Sequence, residues 1–112
     1  MARLTSRFIV DFLIRKAQSD GGYACILSKG DANGGGILVQ CLERGQATIF
    51  LERRTDFDGK ISWNPSGPDQ KAPESDRISY VERRKKNDPD LWLIELDIAN
   101  AEQFIVENCQ IS

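Results

Sequence analysis

The sequence predicts an α+β domain with a mostly antiparallel sheet of four to five strands and about three helices, in the order α-β-β-β-(β)-α-β-α. Three features predict this class. An amphipathic helical pattern opens the chain, and short β-branched runs separated by glycine-containing turns follow it. A second helical pattern, one strongly apolar run and a last helical pattern complete the chain. The 112 residues, 40% hydrophobic and 29% charged, suffice for one core, so 1–112 is predicted to be a single globular domain.

The N-terminal segment predicts the first helix. Apolar side chains over 8–17 form a broad face, while Arg7, Asp11 and Arg15 recur at helical spacing on the opposite side. A glycine pair at 21–22 follows. Glycine ends helices because it adopts the left-handed conformation without a side-chain clash, so the helix is predicted to end there.

Three strands are predicted next, over Tyr23–Leu27, Ile37–Leu42 and Ala47–Arg53, because β-branched and large apolar residues dominate these runs. The glycine-rich stretch 29–36 and then a tight turn separate them. This pattern predicts an antiparallel meander. Ile61–Trp63 predicts a short fourth strand.

Proline and polar residues over 64–73 predict an irregular surface loop. A second helix is predicted over 75–86, with Ile78 and Val81 facing inward. Pro89 follows, and the residue before a proline disfavours helical backbone, so the helix is predicted to end before it.

The run Leu91–Leu96 is the most apolar strand candidate and is predicted to be the central strand, covered on both faces. Trp92 and the same-face residues after it are predicted to pack under the main helical layer. Glu95 is on the other face, where water or an arginine of the third strand should reach it. A last helix is predicted over 100–108, with its first and fourth residues placed like a capping box.

The charge distribution is uneven, although the net charge is only −2. Arg83, Arg84, Lys85 and Lys86 form one basic run, and the chain after it carries six acidic residues and no basic one. With aromatic residues on either side, the run is a candidate contact for RNA or single-stranded DNA. Alternatively, it is a solvated helix end whose cations face the negative end of the helix dipole.

Cys25, Cys41 and Cys109 are odd in number and lack the close spacing of zinc or redox motifs. They predict reduced thiols, and the first two are predicted to be small core residues. No apolar run approaches the roughly 20 residues that cross a bilayer, and no signal peptide is evident. These observations predict a cytoplasmic protein.

The chain contains no histidine, which removes the commonest general base and metal ligand. Glycines 34–36 do not predict a phosphate-binding loop, because they precede a strand instead of opening a helix. No cofactor and no metal site is predicted.

One enzyme class stays open, because the predicted element order matches the core of restriction-endonuclease-like nucleases. Such nucleases hold a metal ion with an acid on one strand and an acid-x-lysine on the next. Here Glu43 ends the second strand, and the third offers Glu52, followed by Arg53 and Arg54. Arginine stays protonated and is a poor proton acceptor. Asp58-Gly59-Lys60 matches the acid-x-lysine pattern, but it lies in a predicted turn.

The segment YVERRKKNDPDLWLIELDIANAEQFI, residues 80–105, resembles a family of small alphaproteobacterial proteins known as domain of unknown function 1491. The glycine pair after the first helix, the LERG turn and ERR at 52–54 are similar to the same family. The resemblance implies a compact bacterial domain, and it implies no activity, ligand or catalytic residue.

The first functional hypothesis is therefore a non-enzymatic accessory or protein-interaction domain. The alternative is weak nucleic-acid binding through the basic run 83–86, and the second alternative is a carboxylate- and metal-dependent nuclease. If Tyr23–Leu27 lies at the edge of the sheet, its lack of charge favours homodimerisation across it.

Overall fold

The computed structural model describes residues 5–55 and 57–108. In chain order the elements are α1 (Ser6–Ser19), β1 (Tyr23–Ser28), β2 (Ile37–Glu43), β3 (Gln46–Thr55), β4 (Ile61–Ser66), α2 (Glu74–Asn87), β5 (Trp92–Asp97) and α3 (Ala101–Asn108). The predicted order and fold class are confirmed. The fourth strand is longer than predicted and includes the first residues of the expected loop, with Pro65 on an outer strand, where proline is tolerated.

The sheet has the strand order β1-β5-β2-β3-β4. β5 runs antiparallel to β1 and parallel to β2, and the other neighbours are antiparallel. The predicted meander of the first three strands is therefore wrong at its first step, because β5 lies between β1 and β2. β5 is internal, as predicted, but the middle of the five positions belongs to β2.

The turn between β2 and β3 is the two-residue loop Arg44-Gly45, with φ angles of 53° and 81°. Positive φ at both positions is the backbone of a type I′ hairpin, and it explains the glycine of the LERG motif. The Asp97 carboxylate accepts hydrogen bonds from the Arg44 and Gly45 backbone amides, at 3.0 and 2.7 Å. The end of β5 is thus tied to this hairpin.

One face of the sheet carries the main core. The helices α1 and α3 pack on it and contribute these buried residues: Ile9, Val10, Leu13, Ala17, Ala101, Phe104 and Ile105. Trp92, Ile94 and Leu96 meet this layer, as predicted. Trp92 is 2% exposed, and its Nε1 donates to the Asp31 carbonyl oxygen at 2.7 Å.

The glycine-rich stretch 29–36 joins two strands that are not neighbours, so it is not the hairpin connection that its position predicts. Its Ala32 and Asn33 carbonyl oxygens accept the Arg7 and Ser6 backbone amides of α1, at 3.0 and 3.4 Å. Those amides are the unpaired donors that a phosphate would otherwise use. The start of α1 is therefore occupied by the protein's own backbone.

The opposite face carries a smaller cluster of Leu38, Phe50, Leu91 and Leu93 under α2. No residue of α2 is fully buried. Val81 is partly buried against this cluster, whereas Ile78, predicted to face inward, is 52% exposed. α2 therefore covers its face of the sheet only in part.

The capping box predicted for α3 is wrong. Asn100 has φ of 54°, outside the extended region usual for an N-cap, and the Gln103 side chain donates forward to Glu107 at 2.8 Å. Across 5–55 and 57–108, no helix combines the length and apolar character needed to span a membrane.

Candidate binding cleft beside α2

An open cleft of about 640 Å³ lies between α2 and the part of the sheet that α2 leaves uncovered. Leu42 and Leu93 form its apolar floor, and Leu27 of β1 lies at its outer side. Ile78 and Val81 form the wall on α2. Because Leu27 and Ile78 are 45% and 52% exposed, the cleft presents apolar surface directly to solvent.

α2 is held beside the cleft by a half-buried ion pair. Arg84 donates to both carboxylate oxygens of Glu52 on β3, at 2.9 and 2.8 Å, and its Nη1 also donates to the Tyr80 hydroxyl at 2.8 Å. The Tyr80 ring packs on Phe50, with centroids 5.1 Å apart. These contacts fix the side of α2 that carries Tyr80 and Arg84 over β3, and the side that carries Ile78 and Val81 faces the cleft.

The same ion pair shifts the pKa values of both partners. Hydrogen bonds from Arg84 lower the pKa of the Glu52 carboxyl, against the opposing effect of burial. The hydrogen bond to Glu52 raises the pKa of the Arg84 guanidinium above its ordinary value. Both groups therefore remain charged near neutral pH.

Glu95 lies on the internal strand β5 and lines the cleft. Its carboxylate is half-buried and accepts one long contact, from the Cys25 thiol at 3.8 Å. Within the described part of the chain it makes no ion pair. Water or an arginine such as Arg53 or Arg54 was expected beside it, but neither arginine forms an ion pair with Glu95, and Arg54 instead contacts Glu52 at 3.6 Å. Glu95 thus lies between Cys25 and Gln40 on the neighbouring strands, above the apolar floor, without a cationic partner among the described residues.

The remaining charges at the rim of the cleft are mostly acidic. Glu74 and Glu82 on α2 line it, together with Arg77. The Arg77 guanidinium donates to the Ala72 and Asp69 carbonyl oxygens, at 2.8 and 3.3 Å, and so holds the loop before α2. The cleft therefore combines an apolar floor with an excess of negative charge.

The four residues of the basic run do not act as one patch. Arg84 turns inward to Glu52, whereas Arg83, Lys85 and Lys86 are exposed in the last turns of α2. None of these three makes an ion pair with another described residue. Only these three side chains of the run are therefore available to bind a polyanion.

The cysteines differ in their surroundings. Cys41 is 1% exposed, as predicted for a core residue, and burial raises the pKa of its thiol to about 12. Cys25 is only half-buried, on an outer strand, so its assignment to the core is wrong. Its thiol raises the pKa of the neighbouring Tyr23. Cys109 lies outside the described residues.

The acids of the nuclease hypothesis do not meet. Glu52 pairs with Leu38 of β2, and Glu43 lies five residues further along that strand. At about 3.3 Å per residue, their backbones are roughly 16 Å apart, too far to share one metal ion. Glu52 is also bound by Arg84. Elsewhere in the described ranges, no three His, Cys, Asp or Glu side chains are grouped to hold a metal.

The known proteins that this chain resembles match most of its length. The family model described as "Protein of unknown function (DUF1491)" matches residues 4–106. A crystal structure of a DUF1491 family protein from Caulobacter crescentus CB15 is 31% identical, with a TM-score of 0.78 over 91% of this chain and 94% of that chain. An NMR structure of a DUF1491 family protein from the same organism is also 31% identical, with a TM-score of 0.75 over 93% and 94%.

Protein Atu0922 from A. tumefaciens is 23% identical, with a TM-score of 0.66 over 87% of each chain, and shares the fold. No curated protein matches the sequence. The match over 4–106 and the two Caulobacter structures lead to one assignment: this chain belongs to the DUF1491 family.

Proposed function

We propose that this protein is a non-enzymatic cytoplasmic interaction domain that binds a segment of another protein in the cleft beside α2. The observation that carries the proposal is the continuity of the cleft with exposed apolar side chains on both sides, Leu27 on β1 and Ile78 on α2. Exposed apolar surface in a concave site, rimmed by polar groups, is typical of protein-binding surfaces.

The chemistry of the cleft also supports recognition over catalysis. Its acidic groups, Glu74, Glu82 and Glu95, are distributed around an apolar floor, and the neighbouring Arg77 is already bonded to backbone carbonyls. General acid–base catalysis uses groups set within hydrogen-bond reach of one reacting centre. Charges spread around an apolar surface instead give a binding site its orientation and specificity.

Photo-crosslinking in cells tests the proposal. A photoreactive amino acid at position 78 should crosslink to a discrete partner protein, and Leu27→Glu should abolish that crosslink, because it places a charge against the apolar surface of the partner. The matched control is a photoreactive amino acid in place of Phe57, which is fully exposed and does not line the cleft. Crosslinks are identified by mass spectrometry.

If positions 78 and 57 give the same crosslinks, or if Leu27→Glu leaves the crosslink from position 78 intact, the cleft is not the binding surface. The urea midpoint of the Leu27→Glu variant is measured as well, so that loss of crosslinking is attributed to the cleft only when the variant is folded.

A second candidate function is nucleic-acid binding, favoured by the exposure of Arg83, Lys85 and Lys86 near the end of α2. If they contact phosphates, the affinity for single-stranded RNA should fall steeply with salt, with a logarithmic slope near −0.7 for each contact. The double variant Arg83→Glu/Lys86→Glu should then bind about 100-fold more weakly at low salt, measured by fluorescence anisotropy.

The control for that experiment is Arg15→Glu/Lys71→Glu, which makes the same change in net charge at exposed sites elsewhere. Equal losses in the two double variants would show only a general charge effect. Absence of binding at low salt would exclude this second function.

A further inference from the structure

We infer that the segment bound by this domain is an extended strand that adds to the outer edge of β1 and carries a lysine or arginine between two apolar residues. The inference rests on the proposed function and specifies the chemistry of its partner. Three observations support it: the outer edge of β1, the position of Glu95, and the side chains on either side of Cys25.

The first observation concerns the edges of the sheet. β1 and β4 are the two outer strands. β4 contains Pro65, which cannot donate a backbone hydrogen bond, whereas no residue of Tyr23–Ser28 is charged or proline. Charge and proline are common protections of an edge against strand addition. β1 has a bulge between Ile26 and Ser28, but its stretch 23–26 is regular, uncharged and free of proline, so this part of the β1 edge is the one suited to accept a strand.

The second observation is the uncompensated charge of Glu95. The carboxylate is half-buried, its cross-strand neighbours Cys25 and Gln40 are uncharged, and the Cys25 thiol at 3.8 Å is a weak donor. An ionised group in such surroundings is stabilised by an opposite charge. Arg77 makes no ion pair with Glu95, and its Nη1 instead donates to the two loop carbonyls, so the cation is expected from the partner.

The third observation is the cross-strand register. Cys25 pairs with Glu95 across β1 and β5, so these two residues lie side by side on the same face. Neighbouring strands are about 4.8 Å apart, which places an added strand roughly 10 Å from β5. Among the described residues, only the short Cys25 side chain lies between that position and Glu95 along this row. A long lysine or arginine side chain opposite Cys25 can therefore extend over the thiol to the carboxylate.

The residues on either side of Cys25 specify the partner further. Tyr23 shares its face of the sheet by strand alternation, Leu27 lines the same cleft, and they are 56% and 45% exposed. An apolar residue opposite each would bury this surface. The expected motif is apolar-x-cation-x-apolar, which reads the same in either strand direction.

The motif argues against a second copy of this chain as the occupant. Pairing β1 with its own copy would place only uncharged side chains beside Glu95, because Tyr23–Ser28 carries no cation. The charge of Glu95 would then be buried further without compensation. Homodimerisation across β1 is thus an alternative outcome that the experiment separates.

The test uses three synthetic heptapeptides, Thr-Val-Thr-X-Thr-Val-Thr, in which the central residue X is lysine, glutamine or glutamate. Binding to the full chain is measured by anisotropy and by amide chemical shifts. The lysine peptide should shift the amides of β1 and bind about 10-fold more tightly than the glutamine peptide, and the glutamate peptide should bind most weakly. High salt should reduce these differences.

Glu95→Gln should make the lysine and glutamine peptides bind alike, while leaving the affinity for the glutamine peptide unchanged. The matched control is Glu82→Gln, which removes a charge at the exposed rim of the same cleft and should preserve the preference for lysine. Because both substitutions conserve side-chain shape, loss of preference in the first alone would assign the cation to Glu95.

Three results would overturn the inference. Equal binding of the three peptides would show that the cation plays no part in recognition. Amide chemical-shift changes confined to residues outside β1 would show that the peptide does not add as a strand to β1. A dimer in sedimentation that the lysine peptide does not dissociate would assign the edge to a second copy. In each case the photo-crosslinking experiment at position 78 tests separately whether the cleft binds a protein at all.

Discussion

Trp92→Ala is expected to lower the free energy of unfolding by about 3–5 kcal/mol, the usual range for truncating a large buried aromatic residue. Trp92 is 2% exposed and belongs to the core beneath α1 and α3. Its removal leaves a cavity at the start of an internal strand. It also leaves the Asp31 carbonyl without the indole donor now 2.7 Å away.

A domain of this size has about 5–15 kcal/mol of total stability, so the variant should show a much lower urea midpoint by circular dichroism. Two controls separate the causes. Trp92→Phe keeps much of the packing and loses the hydrogen bond, so its cost should be smaller. Phe57→Ala removes an aromatic side chain that is fully exposed, and its midpoint should be nearly that of the parent. An unchanged midpoint for Trp92→Ala would contradict the assignment of this strand to the core.

The sequence pattern predicts the helices and strands better than it predicts which strands pair with each other in the sheet. The near-continuous apolar run of β5 indicates a strand covered on both faces, and this is confirmed. Periodicity carries no information about which distant strands pair, so the insertion of β5 between β1 and β2 was not predictable from it. A local signal exists in Gly30 and Gly35, where a Cβ atom would collide with the Asp90 backbone. Those glycines permit the close approach of the chain segment that leads into β5.

The prediction for Ile78 failed for a related physical reason. A helix with apolar residues three positions apart favours burial of both, and Val81 is indeed partly buried. α2, however, is held to the sheet by Tyr80 and Arg84, a polar anchor that hydrophobic periodicity does not detect. The anchor lies toward β3, so Ile78 is left at the opening of the cleft.

The candidate site was predicted only in fragments. Glu95 was expected opposite the main helical layer, and its position on the face with Leu93 agrees. It lacks a cationic partner because its row across the sheet consists of Cys25, Gln40 and Phe50, and this strand order is a tertiary arrangement. The basic run at 83–86 was visible in the sequence, but the inward orientation of Arg84 was not.

Arg84→Ala is expected to cost about 2–3 kcal/mol, a value reduced from that of a fully buried pair because the two side chains remain 23% and 17% exposed. The loss has two parts. The hydrogen bonds that hold α2 to β3 disappear, and Glu52 is left as a half-buried carboxylate without its bidentate partner. Urea unfolding measures the cost, and amide hydrogen exchange should show α2 opening more readily than β3.

The neighbouring Arg83→Ala is the matched control, since Arg83 is exposed and should change stability by less than about 0.5 kcal/mol. The double variant Glu52→Gln/Arg84→Met should be more stable than Arg84→Ala, because it removes both charges together. If the double variant is the less stable of the two, the cost does not come from an uncompensated Glu52.

The stability supplied by Glu52 should also depend on pH with a definite sign. Its folded pKa is lowered, chiefly by the hydrogen bonds from Arg84, so the unfolded chain takes up a proton at higher pH than the folded one. The contribution is therefore fully present above the pKa of an unfolded glutamate, about 4.3, and is lost as the pH falls through the folded pKa. The parent should lose stability over this acidic window more than Glu52→Gln does, in urea titrations between neutral pH and pH about 3. Parallel curves would mean that the Arg84 hydrogen bonds do not favour the ionised form of Glu52 over the protonated one.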